Sequence, residues 1–185
     1  CLLGKLFKLS SKEVLYTYIK DNEIYFDVIN VGDKKTKNIN KIDAKTLSEI
    51  KISAPYLISN PEFAQTKDGN ILVSLNGVKD KKIVSKVFLY NVKENLYTEI
   101  KTKLIDIKTP ILLDDNRILI YARNKGIFTI EIYDKDKLVS TFAKKDKKYV
   151  KLSLLKNGKI LILDTWQNPV DIYDIKTNKT RPTGS

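Results

Sequence analysis

Among these 185 residues, one aromatic side chain set among amides and a carboxylate offers the clearest binding chemistry. The only Trp, Trp166, lies in the segment from Asp164 to Pro169, which reads Asp-Thr-Trp-Gln-Asn-Pro. An indole face beside polar groups suits a sugar ring, a base or a peptide side chain. The alternative is a structural Trp packed between sheets. The predicted ligand site consists of Trp166, Asp164, Gln167, Asn168, Arg123, Asn124, Asn76 and Asp33.

The residue types that usually carry catalysis are scarce. With no His and one Cys, His-based metal sites, zinc deaminases and Ser-His or Cys-His hydrolases are excluded. A glycosidase-type pair of carboxylates stays open, with Asp33, Asp80 and Asp164 as candidates. The acidic run at 114–116 lacks the alternating ligands of a calcium loop and indicates a hairpin turn. We therefore predict no catalytic residue, no metal site and no cofactor.

Positive charge is a second feature that could select a partner. Lys and Arg total 34 against 22 Asp and Glu, a net charge of +12, yet only three of the 34 are Arg. Arg reads phosphate and guanine in a bidentate manner, so nucleic acid is not the favoured partner. A compositional bias toward Lys, Asn and Ile gives the same balance without any selection for binding. The candidate anion-binding residues are Lys79, Lys81, Lys82, Lys144, Lys145, Lys147 and Lys148.

The first residue, Cys1, carries a separate prediction. A bacterial lipoprotein begins with a lipid-bearing Cys once its signal peptide is removed, and Cys1 resembles that position. A cloning boundary or a buried structural Cys are the alternatives. No segment approaches 18 consecutive apolar residues. We predict an extracytoplasmic location, with contact to a membrane only through a lipid on Cys1; a cytoplasmic location is the alternative.

The elements that must position these residues are indicated by an internal repeat. A turn followed by apolar residues recurs, and the Ile after each turn lies at intervals of 47, 47 and 42 residues. A second marker, an apolar residue or Tyr followed by Asp or Asn, recurs in the same order. The first marker is placed at Ile24, Ile71, Ile118 and Ile160, and the second at Ile42, Tyr90, Tyr133 and Tyr173.

Each repeat contains short segments of β composition and no convincing amphipathic helix. Residues 87–90 and 127–133 are typical strands, and Asx-rich pairs between apolar segments indicate hairpins. Four strands in about 40 to 45 residues are typical of a propeller blade. The sequence thus resembles the β-propeller superfamily of loosely repeated bacterial type, without the marks of WD or kelch repeats. The resemblance implies an all-β, four-bladed β-propeller of four-stranded antiparallel blades.

The ends of the chain suggest how such a ring would close. We place the blades in a single domain spanning 1–185, at about 11–52, 53–102, 103–145 and 146–180. The segment after Thr180 looks too short and polar for a strand, and the segment 5–10 is left unassigned. We therefore predict that the N-terminal strand completes the last blade. The alternative is a fragment of a larger propeller.

These features favour a non-catalytic module that binds a ligand or a protein, or acts as a scaffold. A protein or glycan is the expected partner. Two alternatives stay open: a carbohydrate-active or lactonase-like propeller enzyme with central carboxylates, and an anionic-polymer binder. The polymer binder requires that the Lys-rich loops at 79–86 and 144–148 share one face.

Overall fold

The computed structural model describes residues 3–48, 50–51 and 61–184. Throughout these ranges the regular structure is entirely β, in four antiparallel sheets of four strands each. Strands follow one another in chain order within every sheet, so hairpins join all neighbours. We call the strands of each sheet A, B, C and D in chain order. A–B and C–D turns therefore lie at one end of a sheet, and the B–C turn lies at the other.

The strand bounds are as follows. Sheet 1 contains β1 (Leu3–Lys8), β2 (Glu13–Lys20), β3 (Glu23–Asn30) and β4 (Thr36–Ile42). Sheet 2 contains β5 (Glu62–Gln65), β6 (Ile71–Lys79), β7 (Lys82–Asn91) and β8 (Leu96–Glu99). Sheet 3 contains β9 (Ile111–Leu112), β10 (Ile118–Asn124), β11 (Ile127–Asp134) and β12 (Lys137–Lys145). Sheet 4 contains β13 (Lys151–Leu154), β14 (Ile160–Leu163), β15 (Pro169–Asp174) and β16 (Lys179–Pro182).

The chain forms two compact units, Cys1–Thr102 and Lys103–Ser185, each built from two sheets. Alternation along the strands directs apolar side chains between the paired sheets. In the first unit Phe26 stacks on Tyr90, with ring centroids 3.9 Å apart. In the second unit the rings of Phe128 and Tyr149 meet edge to face at 5.6 Å. Each unit therefore has its own apolar core.

The predicted repeat is confirmed in three of its four copies. The two markers pair across the B and C strands, Ile71 with Tyr90, Ile118 with Tyr133 and Ile160 with Tyr173. In sheet 1 the equivalent pair is Val14 with Ile29. The markers at Ile24 and Ile42 are wrong, because they belong to the C and D strands.

Turn chemistry explains that error in the first repeat. Backbone amides close the four A–B turns alike, from Leu9, Thr66, Leu113 and Leu155 to the carbonyls of Glu13, Asn70, Arg117 and Lys159. The first of these turns uses a serine: Ser10 Oγ accepts from the amides of Lys12 and Glu13 at 3.1 Å. The more conspicuous Asp21–Asn22 pair, at φ 51° and 59°, forms the B–C turn instead.

The predicted closure by the N-terminal strand is also wrong in its pairing. Strand β1 pairs with β2, where Leu6 lies opposite Tyr16, and so it is the A strand of sheet 1. Sheet 4 takes its D strand from Lys179–Pro182, in which Arg181 lies opposite Ile172. The short polar C-terminal segment pairs because an edge strand can tolerate Pro182. The single domain over 1–185 stays a prediction.

The segment after sheet 1, residues 43–48, contains a turn. The Leu47 amide donates to the Asp43 carbonyl at 3.1 Å, and Asp43 Oδ1 accepts from the Thr46 amide at 2.8 Å. Leu47 and Ile50 are buried in the core of the first unit, and Ile50 lies beside Gly77 of β6. Lys51 then exchanges backbone hydrogen bonds with Val78 on β6. This D–A connection therefore joins the two sheets of the first unit.

An asparagine in a C–D turn fastens the sheets of each unit together. In sheet 2, Asn95 Oδ1 accepts from the Tyr90 hydroxyl at 2.7 Å, and Asn95 Nδ2 donates to the Ile39 carbonyl of sheet 1 at 2.9 Å. In sheet 4, Asn178 accepts from Tyr173 at 2.6 Å and donates to the Thr141 carbonyl of sheet 3 at 3.0 Å.

Both asparagines have positive φ, 54° at Asn95 and 55° at Asn178, a conformation that Asn tolerates. Burial raises the pKa of Tyr90 to about 12 and also raises the pKa of Tyr173. Both hydroxyls therefore keep the proton that they donate. In sheets 2 and 4 the Tyr of the second marker thus has a structural role.

Candidate functional site

The predicted Trp loop lies at the B–C end of the second unit. There the B–C turns of sheets 3 and 4 flank the D–A connection that joins these sheets. The Val150 amide donates to the Leu163 carbonyl at 2.9 Å, which ties this connection to sheet 4. We call residues 123–127, 144–150 and 164–169 the tip surface. It contains all the ligand and anion candidates of the second unit.

Asp164 fixes the backbone of the loop that carries Trp166. Asp164 Oδ1 accepts from the amides of Trp166 at 2.9 Å and Asn168 at 2.8 Å. The Gln167 amide donates to the Asp164 carbonyl at 3.0 Å, and Gln167 adopts φ 62°. The Trp166 side chain is 81% exposed, so it does not pack between sheets. The loop is thus ordered by its own hydrogen bonds while the indole projects into solvent.

Arg123 and Lys144 have structural partners on the tip surface. An Arg123 guanidinium nitrogen donates to the carbonyls of Lys147 at 2.9 Å and Tyr149 at 2.8 Å. Lys144 Nζ donates to the buried Tyr149 hydroxyl at 3.0 Å and lies 3.6 Å from Asp171 Oδ2. The Tyr149 hydroxyl in turn donates to Asp171. These contacts hold the D–A connection in place, and they give both Arg123 and Lys144 hydrogen-bond partners within the protein.

The remaining lysines of the tip surface are exposed. Lys125 lies in the B–C turn of sheet 3, Lys145 ends β12, and Lys147 and Lys148 lie in the D–A connection. Asp146, which separates them, uses Oδ1 to accept from the Lys148 amide at 2.7 Å. In total the surface carries six basic and two acidic side chains. The tip surface therefore carries a net positive charge.

Two of the predicted site residues, Asn76 and Asp33, lie in the first unit. Asn76 is buried in β6, and its Oδ1 accepts from the Ser85 hydroxyl at 2.5 Å. Asp33 lies in the C–D turn of sheet 1, where its Oδ1 accepts from the Lys35 amide at 2.9 Å. The B–C turn of sheet 2 consists only of Asp80 and Lys81, so Asn76 lies within a strand and not in a loop. Both residues belong to the first unit, so their grouping with Trp166 in one site stays a prediction.

Lys79, Lys81 and Lys82 form the B–C tip of sheet 2, in the first unit, and all three are exposed. Because the 144–148 segment belongs to the other unit, a face shared by the two Lys-rich segments stays a prediction. The sequence reasoning missed the apolar residue beside each Lys-rich tip. Ile83 is 36% exposed after the first tip, and Ile127 is 46% exposed after Lys125. An Ile within two residues after a two-residue turn is the signal that could have identified them.

The opposite ends of the sheets contain two clefts. One, of about 360 Å³, lies between the A–B turns of sheets 3 and 4; ion pairs line it, Arg117 with Asp115 at 2.7 Å and Lys159 with Asp174 at 4.0 Å. The other, of about 540 Å³, lies beside the A–B and C–D turns of sheet 2. The charged groups in the first cleft therefore largely neutralise one another.

Other site predictions concern metals, membrane spans and Cys1. Within residues 3–48, 50–51 and 61–184, no three His, Cys, Asp or Glu side chains gather as metal ligands would. A helix of the length and apolarity needed to span a bilayer is likewise absent from these ranges. Cys1, the predicted lipid attachment site, lies outside the described residues.

Comparisons with known proteins identify the architecture. No protein-family model matches the sequence, and no curated protein matches it. Among solved structures, the Dos1 propeller shares 9% identity at a TM-score of 0.55; the match covers 91% of this chain and 46% of that one. TolB from Acinetobacter baumannii shares 13% identity at a TM-score of 0.50, covering 93% of this chain and 40% of that one.

An acylaminoacyl peptidase, solved in complex with a chloromethyl ketone, shares 14% identity at a TM-score of 0.54. Here the match covers 99% of this chain and 33% of the peptidase. The chain thus spans less than half the length of these structures. At such identities the likeness shows the fold alone. The four antiparallel sheets are the blades of a β-propeller, as the repeat in the sequence predicted.

Proposed function

We propose that this chain is a non-catalytic binding module and that the tip surface makes the contact. The observation that supports the proposal is Trp166, which is 81% exposed on a loop whose backbone Asp164 holds in place. An exposed indole on an ordered loop buries a large apolar area on binding, and little conformational entropy of the loop is lost. Trp is also enriched among the residues that dominate binding energy at interfaces.

The carboxylates named for catalysis have turn-forming roles instead. Asp164 and Asp33 accept hydrogen bonds from backbone amides. Asp80, at φ 49°, lies in the B–C turn of sheet 2. Asp33 and Asp80 belong to the same unit but lie at opposite ends of their sheets. The geometry therefore supports binding better than a hydrolytic pair of carboxylates, which needs two groups on one substrate bond.

A panel of immobilised probes tests this proposal: an acidic peptide, a neutral peptide, an oligosaccharide, heparin and anionic lipid vesicles. We expect saturable binding to at least one class, weakened about tenfold or more by Trp166→Ala. Leu138→Ala is the matched control, because Leu138 is 51% exposed at the C–D end of sheet 3. Equal binding by the Trp166→Ala variant, or no binding to any probe, would contradict the proposal.

The extracytoplasmic location and the lipid on Cys1 belong to this proposal on the strength of the sequence alone. Incorporation of a labelled fatty acid in a bacterial host, abolished by Cys1→Ser, would support them. If the protein were not labelled, the proposed lipid and location would be contradicted, and the proposed role of the tip surface would be unaffected.

A further inference from the structure

Apolar side chains are exposed at the B–C tips of three sheets, and in two of these tips a lysine precedes the apolar residue in the sequence. In the second unit, Trp166 is 81% exposed and Ile127 is 46% exposed, with Lys125 next to the latter. In the first unit, Ile83 is 36% exposed after the Lys79–Lys82 tip. The B–C turn of sheet 1 differs, since Asp21 and Asn22 form it. The same pairing of an apolar tip with Lys thus occurs independently in both units.

The shape of the tip surface fits a soft partner. Trp166 and Ile127 stand out from hairpin ends, so a rigid partner would need a matching hole for each. A lipid bilayer accepts such projecting groups without one. Indole rings favour the bilayer interface, where the apolar ring is buried and the N–H stays hydrated.

The charge of the tip surface fits an anionic bilayer. The tip surface also carries four exposed lysines: Lys125, Lys145, Lys147 and Lys148. The nearby carboxylates are engaged in the fold, Asp146 with the Lys148 amide and Asp164 with its own loop. Arg123, the one Arg of this surface, donates to backbone carbonyls. Lysines on long stems attract anionic headgroups as point charges while their stems cover apolar surface.

From the exposed apolar tips and this charge we propose that the tip surface docks on an anionic lipid bilayer, with Trp166 inserted at the interface. The inference rests on the proposed function and names the partner of the same surface. Docking through hairpin tips is independent of any lipid carried by Cys1. Each lysine near such a bilayer contributes about a fivefold gain in affinity, and salt weakens that contribution.

Trp166 is the only Trp and therefore reports its own insertion. The chain is titrated with phosphatidylcholine vesicles that contain either no anionic lipid or about one-third phosphatidylserine. With the anionic vesicles we expect a blue shift of Trp166 emission and quenching by brominated acyl chains. We expect neither with phosphatidylcholine alone, and we expect both to weaken at high salt.

Vesicle co-sedimentation tests the groups separately. Trp166→Ala should weaken binding about tenfold or more, and the triple change of Lys145, Lys147 and Lys148 to Gln about a hundredfold. The matched control changes Lys135, Lys137 and Lys176 to Gln, which removes equal charge at the C–D ends of sheets 3 and 4. That control should bind within about twofold of the original chain.

Three outcomes overturn the inference. Binding to the acidic peptide but not to anionic vesicles would replace the bilayer with a protein partner and leave the proposed function standing. Vesicle binding without quenching of Trp166 would show charge attraction without insertion. Equal losses in the two triple variants would show that net charge, and not the tip surface, determines binding.

Discussion

Asp164 orders the loop that carries Trp166 by accepting hydrogen bonds from two backbone amides of that loop, at 2.9 and 2.8 Å. We predict that Asp164→Ala lowers the free energy of unfolding by about 1–2 kcal/mol, since two partly exposed hydrogen bonds are lost. The Trp166 side chain should also become more mobile, which fluorescence anisotropy measures directly. Asp164→Asn keeps one oxygen acceptor and should preserve most of the order. An Asp164→Ala loop as rigid as the original would mean that other contacts hold Trp166.

Tyr90 is a fully buried phenol whose pKa is raised to about 12 by burial. In the unfolded chain its pKa is about 10, so the folded state binds this proton more tightly. The resulting stability is complete below pH 10 and is lost as pH rises from 10 to 12. We predict that the free energy of unfolding falls more steeply across this window in the original chain than in Tyr90→Phe. The extra fall should amount to about 2 kcal/mol.

Chemical denaturation at a series of alkaline pH values measures this difference. Loss of lysine charge affects both proteins alike, so subtraction isolates the phenol. Loss of the Tyr90 hydrogen bond to Asn95 lowers the stability of the variant at every pH and does not change the slope. Parallel pH profiles would show that Tyr90 does not remain protonated in the folded chain.

Among the elements, the C–D turns of sheets 2 and 4 connect neighbouring sheets through one amide side chain each. We predict that Asn178→Ala lowers the free energy of unfolding by about 2–3 kcal/mol. It removes bonds to the Tyr173 hydroxyl and the Thr141 carbonyl and leaves a residue at positive φ that disfavours Ala. Thermal denaturation of this variant can be compared with Asn124→Ala, an exposed site at the end of β10. Similar losses in both variants would contradict the structural role of the turn.

Strand β6 is crossed closely by the D–A connection of the first unit. A Cβ built on Gly77 would lie 1.7 Å from Ile50 Cγ2 and 2.9 Å from the Lys51 carbonyl oxygen. We therefore predict that Gly77→Ala costs about 2–4 kcal/mol, because Ile50 and the backbone at Lys51 must both shift. Gly32→Ala is the control, since its Cβ would approach only Asn30 Oδ1, at 3.3 Å. Denaturant unfolding distinguishes the two, and a tolerated Gly77→Ala would mean that the connection is free to move.

The sequence predicted which segments form strands better than it predicted the position of each strand within its sheet. Residues 87–90 and 127–133 are strands, and the four-sheet architecture is confirmed. The markers of the first repeat were assigned to the wrong strands because Asx pairs form both A–B and B–C turns. The residues of a turn alone therefore do not show which hairpin the turn closes. Ser10 closes the A–B turn without an Asx residue. The pairing of β1 and of β16 depends on contacts distant in sequence, which local patterns do not encode.

The candidate site was predicted in part for similar reasons. The loop from Asp164 to Pro169 is a B–C loop, and its polar residues are exposed there. The sequence could not show whether Trp166 was packed, since that depends on how sheet 4 is covered. Asn76 was misplaced because a strand can extend through polar residues when they pair, as Asn76 does with Ser85. Ile83 and Ile127 were overlooked because single apolar residues in strands usually indicate burial.

At the scale of the whole molecule, the chain has two compact units with separate apolar cores. Local free energies of opening differ between such regions when each core has its own contacts. Asn95 contributes to the first unit and Asn178 to the second. We predict that Asn178→Ala accelerates amide exchange mainly in sheets 3 and 4, and Asn95→Ala mainly in sheets 1 and 2. Hydrogen exchange under native conditions, measured by mass spectrometry, resolves these regions.

The amides of β10 and β14 report on the second core, and those of β3 and β6 report on the first. The expected change is about a 30-fold loss of protection in the mutated unit, equivalent to about 2 kcal/mol, with the other unit within about threefold of its original rates. Each variant serves as the control for the other, since both remove an asparagine from a C–D turn. If either variant accelerated exchange equally in all four sheets, the chain would open as one cooperative body. The two cores would then stabilise each other, and the turn asparagines would act on the whole propeller rather than on their own pair of blades.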